Sequence, residues 1–471
     1  MMIRYRYKIS SILLQVLAMM WLVVCGLPVQ AQTTKQELDS LVDGFNMRMA
    51  AEINAFEHYA DSVREAYQAY LEKATAEFNR YTNKIQKIWG GDSIVLDSRY
   101  EWVEYSNDFQ ARSIVNFEQG NARVEVAVDL DASQEEIDEK LTEALYRLMV
   151  SRGSTCPYPS QVDQSRPITK NPVLDGLLDL SGYHLDSAAA KSKEQRYSAT
   201  AAKKMPPQPV VRGGELDIPR RTDTSRHSPK DKPLARTKLE KEKGKLADEK
   251  QTNEKETIAY QVARQSRKSV TQVTGEDGRK RKVVHIQMPL VHDNLSKSAA
   301  LYKDIVRKYS ERFRIEQPLI FAVIEQESAF NPEAVSSAPA YGLMQLVPTS
   351  GGVHAYSFVY GVEKVPTKSY LFDPERNIEL GTAYLRILYN MFDRVNDLDC
   401  RRLCVIAGYN TGAGNVSRAF IGSTRLSNAY DEINKFSYRQ LYRHLTHHLN
   451  TAEARNYVKG VTKRREKYIK K

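Results

Sequence analysis

The chain has little cysteine, no long apolar run beyond its first residues, and a long stretch almost without aromatic side chains. Its four cysteines in 471 residues are Cys25, Cys156, Cys400 and Cys404. Cys25 falls in the leader, and the other three cannot pair completely, so no disulfide framework is implied. Cys400 and Cys404 stand one helical turn apart, a spacing that suits packing as small core residues better than bridging. The apolar core from Ile9 to Val24 is shorter than the ~20 residues a membrane helix needs, which argues against a retained span. Two other absences exclude functions. The glycines of Gly412-Ala413-Gly414 lack the lysine and the preceding strand of a phosphate-binding loop. His444, His447 and His448 recur at helical spacing but have no cysteine or acidic third ligand beside them, so neither metal nor cofactor is expected.

What is present at the start is an export signal. Arg4, Arg6 and Lys8 form a basic region, Ile9 to Val24 an apolar one, and Val29-Gln30-Ala31 a small-residue cleavage site, giving a signal peptide over residues 1–31. A second reading keeps Cys25, after Leu22-Val23-Val24, as a lipid attachment point that brings the chain to a membrane; the bulky Val24 disfavours it. Either way the protein is exported to the periplasm or cell envelope, with an outer-membrane lipoprotein as the second form.

Residues 32–186 read as an α+β domain. Leu38, Leu41, Phe45, Ile53, Phe56, Val63, Tyr67, Phe78, Tyr81, Ile85 and Ile88 recur at three-to-four spacing, as in long amphipathic helices whose stripe serves packing. Strand-like runs come next, near Ile94 to Leu96, Ser113 to Phe117 and Ala122 to Val128, then a helix from Glu135 to Met149. Residues 187–282 carry 25 Lys plus Arg, 13 Asp plus Glu, and only Tyr197 and Tyr260 as aromatics, a composition that predicts a basic, disordered linker. As a flexible coil it would span about 55 Å and leave the domain behind it mobile. Export and the missing aromatics exclude nucleic acid as its partner.

Residues 283–471 read as a mainly-α domain, with helices at Ser298 to Ser310, from Asp373-Pro374 onward, and around 402–409, 415–420, 438–449 and 452–461. Within it, Pro318 suits a first helical turn and Leu319, Ile320, Ala322, Val323 and Ile324 supply a buried run, until Asn331-Pro332 stops the helix. Glu327 therefore sits in a last turn, where the helix dipole and burial both disfavour a carboxylate and raise its pKa, as a general acid near neutrality requires. Glu325, two residues away, points about 200° from it and cannot face the same bond. A sugar-cleaving site with a single acid needs another nucleophile, such as a hydroxyl of the substrate.

The motifs around Glu327 resemble the family 1 lytic transglycosylases. They are ESAFNP at 327–332, Ser336, GLMQ at 342–345, LFDPERNIELGTAYL at 371–385, GYNTGAG from Gly408 and EARNYV ending at Val458. The stretch IQKIWGGDSIVLDSRYEWVEYSNDFQARSIVNFEQGNARVEV also looks like the N-terminal domain of one membrane-bound branch of that family. The resemblance implies a goose-lysozyme-like catalytic fold, peptidoglycan glycan strands as substrate, and Glu327 as acid and then base in a non-hydrolytic cleavage. It further implies that Ser336, Gln345, Tyr409, Asn410 and Tyr457 line the cleft, with the Tyr409 phenol orienting the Glu327 carboxyl group and core packing the competing role for Tyr457. The N-terminal domain is a candidate contact for other cell-envelope proteins. Two departures stand out: Pro339 stiffens a loop where many members have Gly, and Gly408 replaces the usual Ala. A lysozyme-type hydrolase delivering water to the same acid, or a wall-binding scaffold without turnover, are the alternative readings.

Overall fold

The computed structural model describes residues 75–154, 167–185 and 253–469, with scattered positions between 40 and 73. The expected signal peptide, Cys25, Cys156 and most of the amphipathic run lie outside these. Residues Glu77–Lys471 form one compact unit. A helix, α1 (75–89), leads into strands β1 (Glu101–Tyr105), β2 (Ala111–Asn116) and β3 (Asn121–Asp129) and helix α2 (Gln134–Val150). After the undescribed stretch come α3 (253–265), β4 (Ser269–Thr274) and β5 (Lys280–Pro289). The five strands make one antiparallel sheet in the order β1-β2-β3-β5-β4, with Val115 opposite Ala122, Val124 opposite Ile286 and Val126 opposite Val284.

Period-two alternation puts apolar side chains on both faces of this sheet, so both must be covered. Trp102, Val115, Val124, Val126, Val284 and Ile286 pack against Leu141, Leu145 and Leu148 of α2 and Ala259, Val262 and Ala263 of α3. Their neighbours Val103, Ile114, Ala127 and Val283 face the other way, onto Ile85 and Trp89 of α1. Helix α2 starts where the sequence indicates, with Ser133 capping the Glu136 N–H.

Two expectations are corrected here. Ile94 to Leu96 form no strand; the first strand is Glu-Trp-Val-Glu-Tyr at 101–105, whose charges hid its alternation. The linker expected over 187–282 ends by residue 252, because 253–282 contribute a helix and two strands. Lysines and arginines lowered the mean hydropathy of that stretch, yet β5 buries Val283 on one face and Val284, Ile286 and Met288 on the other, while β4 is an edge strand exposed everywhere but at Val273. The two flanks of the undescribed stretch are adjacent: the His184 N–H donates to Gln265 Oε1 and Gln265 Nε2 donates back to His184 O, both at 2.8 Å. The excursion therefore leaves from and returns to the sheet layer and does not separate that layer from the helices beyond β5, which overturns the mobile-arm expectation.

Only four residues separate β5 from α4 (Asn294–Leu301), and a helical array comes after it: α5 (Lys303–Phe313), α6 (Gln317–Ser328), α7 (Val353–Tyr360), α8 (Lys368–Phe372), α9 (Pro374–Met391), α10 (Leu398–Thr411), α11 (Ala413–Ile421), α12 (Tyr430–Ile433), α13 (Tyr438–His448) and α14 (Ala452–Ile469). The helix expected at 298–310 is broken in two at Tyr302. Leu319, Ile320, Ala322, Val323 and Ile324 of α6 are wholly buried, as in a helix apolar on nearly all sides. Gly408 on α10 has a packing reason: an added Cβ would meet Phe392 at 3.1 Å. The fold is thus an α+β sheet layer joined directly to a mainly-α domain.

Ile286 is fully buried between β3 and the α2–α3 layer. Ile286→Ala should cost about 2–5 kcal/mol in denaturant unfolding; a loss below about 0.5 kcal/mol would remove β5 from the core.

Candidate active site

The site is built on the end of α6. The helix stops at Ser328, three residues before Asn331, because Ala329 and Phe330 adopt left-handed backbone at φ 48° and 68°. Such conformations cost of order 1–3 kcal/mol each and persist where surrounding contacts over-determine them. Ala329 packs into the core of the sheet layer, and Phe330 stacks on Tyr302 with ring centroids 6.3 Å apart. Ser328 Oγ donates to Leu343 O at 2.9 Å, tying the helix end to the loop that carries Gly342-Leu343-Met344-Gln345.

That loop is pinned by Asn377 of α9, a fully buried side chain. Its Oδ1 accepts from the Met344 N–H at 2.7 Å, and its Nδ2 donates to Tyr341 O at 2.9 Å and Leu371 O at 2.7 Å. Gly342 is required beneath it: φ is 75°, and a Cβ would lie 2.3 Å from Leu371 O and 2.4 Å from Asn377 Nδ2.

Glu327 itself is 4% exposed. Burial pushes its carboxyl group up to about 7, against the opposing pull of the Arg99 guanidinium and of Tyr457, while the Glu453 charge adds to the rise. Arg99 Nη2 lies 3.8 Å from Glu327 Oε2 and 3.6 Å from Glu453 Oε1. Glu325 turns away, to Lys467 Nζ at 2.9 Å and Arg464 Nε at 3.5 Å on α14, as its position in the helix requires.

Of the residues nominated from sequence, Tyr409 and Tyr457 come close to the acid, and their roles differ from expectation. Tyr409 Oη donates to Met344 O at 2.9 Å and so steadies the loop; burial and the nearby Glu327 charge push the phenol upward. Tyr457, buried on α14, interacts with the Glu327 carboxyl group, though its Oη falls short of a full hydrogen bond to any partner. Asn410 Nδ2 reaches Glu453 Oε1 at 3.4 Å and joins the site only through that residue. Gln345, at φ 46°, donates from Nε2 to Ala334 O at 2.9 Å and Gly342 O at 3.0 Å, leaving its buried Oε1 unpartnered. Ser336 is half-buried and donates to Ala338 O.

Sequence reasoning missed four participants. Ser328, Asn377 and Glu453 lie inside the family motifs, beside residues whose type carries the stronger signal. Arg99 precedes β1, 228 positions from Glu327 along the chain, and nothing local marks it. Glu453 also qualifies the single-acid reading: a second carboxylate does stand near Glu327, 65% exposed and bridged to it by a cation.

A carboxyl group raised from 4.5 to about 7 binds its proton more tightly folded than unfolded. Its penalty is absent below about 4.5, grows as pH rises, and is complete above about 7. Glu327→Gln should therefore gain stability over the parent as pH rises, by of order 3 kcal/mol at pH 8 relative to pH 4.5. Paired thermal melts check this; a pH-independent difference would mean that Glu327 is not a raised, buried acid.

Comparison with known proteins assigns both layers. Residues 304–431 match the family model "Transglycosylase SLT domain", and residues 64–175 match "Membrane-bound lytic murein transglycosylase C, N-terminal domain". The chain is 40% identical to membrane-bound lytic murein transglycosylase C of Haemophilus ducreyi over 190 residues, covering 40% of this chain and about half, 51%, of that relative. It is 28% identical to the protein of that name from Actinobacillus pleuropneumoniae over 392 residues, 83% of this chain and 86% of the relative. Among solved structures it is similar to the 70 kDa soluble lytic transglycosylase of Escherichia coli, at 29% identity and TM-score 0.29, over 36% of this chain and 24% of that one. With the SLT model spanning Glu327, Gln345, Tyr409 and Asn410, and the N-terminal model spanning Arg99, the chain belongs to the SLT-domain lytic transglycosylases, in the branch that carries the murein transglycosylase C N-terminal domain.

Proposed function

We propose that the protein cleaves the β-1,4 bond between N-acetylmuramic acid and N-acetylglucosamine in peptidoglycan without water, leaving 1,6-anhydromuramic ends. The observation that carries this is Glu327, an acid buried at a helix end whose carboxyl group titrates near neutrality. Protonated Glu327 donates to the glycosidic oxygen as the C1–O bond breaks. The carboxylate so formed takes the proton of the muramic C6 hydroxyl, whose oxygen closes onto C1. One side chain serves as acid and then base, and the proton balance returns it to its starting form. Gln345, with its unpartnered Oε1 in a rigid loop, is suited to accept a hydrogen bond from the glycan. Asn410 and Ser336, less buried, are suited to the cleft rim, Tyr457 to holding the acid in place, and Tyr409 to holding the Met344 loop beside it. The leader at 1–31 and the relatives' membrane-bound names support a site of action in the cell envelope.

Glu453 favours a second reading, inverting hydrolysis, in which a base across the cleft activates water. Against it, Glu453 shares Arg99 Nη2 with Glu327, so a cation bridges the two carboxylates in place of an open water site.

Digestion of purified peptidoglycan and mass spectrometry of the products separates the readings. Parent and Glu453→Gln proteins should both release muropeptides one water lighter than hydrolysed ones, and Glu327→Gln should fall by at least about 10³-fold. Hydrated products lost in Glu453→Gln would establish hydrolysis, and sacculus binding without released muropeptides would establish a scaffold.

A further inference from the structure

Five contacts run from the sheet layer onto the segment 326–335 that contains Glu327. Tyr100 Oη donates to Gln326 O at 2.9 Å. Arg99 faces Glu327 at 3.8 Å. Ser98 O accepts from Asn331 Nδ2 and from the Val335 N–H, each at 3.4 Å. The Ser154 N–H, just beyond α2, donates to the buried Glu333 carboxylate. Three consecutive residues, 98–100, thus touch the motif at successive points, and Ala329 fills a place in the core of the sheet layer. A face docked merely for stability has no need to send a charged side chain to the acid.

Arg99 is that charge. Its Nη2 approaches both Glu327 and Glu453 beyond hydrogen-bond distance, so it biases the carboxylates electrostatically and keeps N–H donors unspent on them. Among the described residues, the titratable and charged groups facing Glu327 are Arg99 and Tyr100 from the segment before β1, Tyr409 from α10, and Glu453 and Tyr457 from α14. Arg99 is the only cation among these five.

We propose that Arg99, supplied by the N-terminal sheet layer, is a positioning residue which, opposed by Glu453, tunes the charge state of the buried Glu327 and so the pH range of the reaction. The proposal rests on the reading of Glu327 as the acid. A nearby guanidinium favours the carboxylate, and a nearby carboxylate favours the protonated acid; the two neighbours act on Glu327 in these opposite directions. Because a general acid must start protonated, the rate falls as pH rises through its pKa. Removing Arg99 should move that descending limb to higher pH, and removing Glu453 should move it lower.

The test is the initial rate of muropeptide release from purified peptidoglycan, measured from pH 5 to pH 9 with the full exported chain. Arg99→Gln should shift the midpoint of the descending limb upward by roughly one pH unit, Arg99→Lys should leave it near the parent value, and Glu453→Gln should shift it downward. An unchanged midpoint in both Arg99→Gln and Glu453→Gln, whatever their rates, overturns the proposal. If Arg99→Gln fails to fold, the downward shift in Glu453→Gln still decides. Glu327→Gln separates the two levels: if it is active, the reading of the acid fails; if it is inactive while the midpoints stay put, only the role of Arg99 fails.

Discussion

The structure turns on one ionisable group held where water is scarce. Burying a carboxyl group at the end of an apolar helix costs free energy whenever it is charged, and much of the local architecture answers that cost. Ala329 and Phe330 take left-handed backbone to end α6 just past Glu327, Ser328 ties that end to the Gly342 loop, and Asn377 fixes the loop in turn. Arg99 relieves part of the charge penalty but stays far enough away that the acid titrates near 7. A tighter, hydrogen-bonded ion pair would hold Glu327 ionised and useless as a proton donor.

The same constraint explains why two layers are welded together. A tethered catalytic domain would have to satisfy residues 326–335 by itself. Here Ser98, Tyr100 and Ser154 supply the partners, and β5, an interior strand of the sheet, runs almost directly into α4. The basic excursion begins and ends within the sheet layer, where His184 and Gln265 clasp its two flanks. Whatever reach it provides, it does not separate Glu327 from Arg99.

Much of this was legible in the sequence where the signal is local. Pro318 and the apolar run marked α6, Asp373-Pro374 marked the start of α9, and the order of short motifs around Glu327 marked the family. The antipathy of Glu325 and Glu327 came from helical geometry alone. Some strands were hidden: β1 and β5 interleave Glu, Lys and Arg with their apolar positions, and β4 alternates Val with Ser, Thr and Gln on an exposed edge, so composition outweighed period at 253–282. The seam was also hidden, because Arg99 and Glu327 are joined only by the fold and no spacing rule links them. Tyr409 illustrates a finer limit: its proximity to the acid was legible, but the choice of Met344 O as its hydrogen-bond partner depends on a loop conformation set by Asn377.

The central claim is that burial raises Glu327 to near neutrality against the opposing pull of Arg99 from the other layer. Carbon-13 titration of side-chain carboxyl groups in the substrate-free protein, with the Glu327 signal identified by its loss in Glu327→Gln, tests it most directly. A midpoint near 7 is the predicted result; a midpoint near the ordinary value of 4.5 would contradict the account.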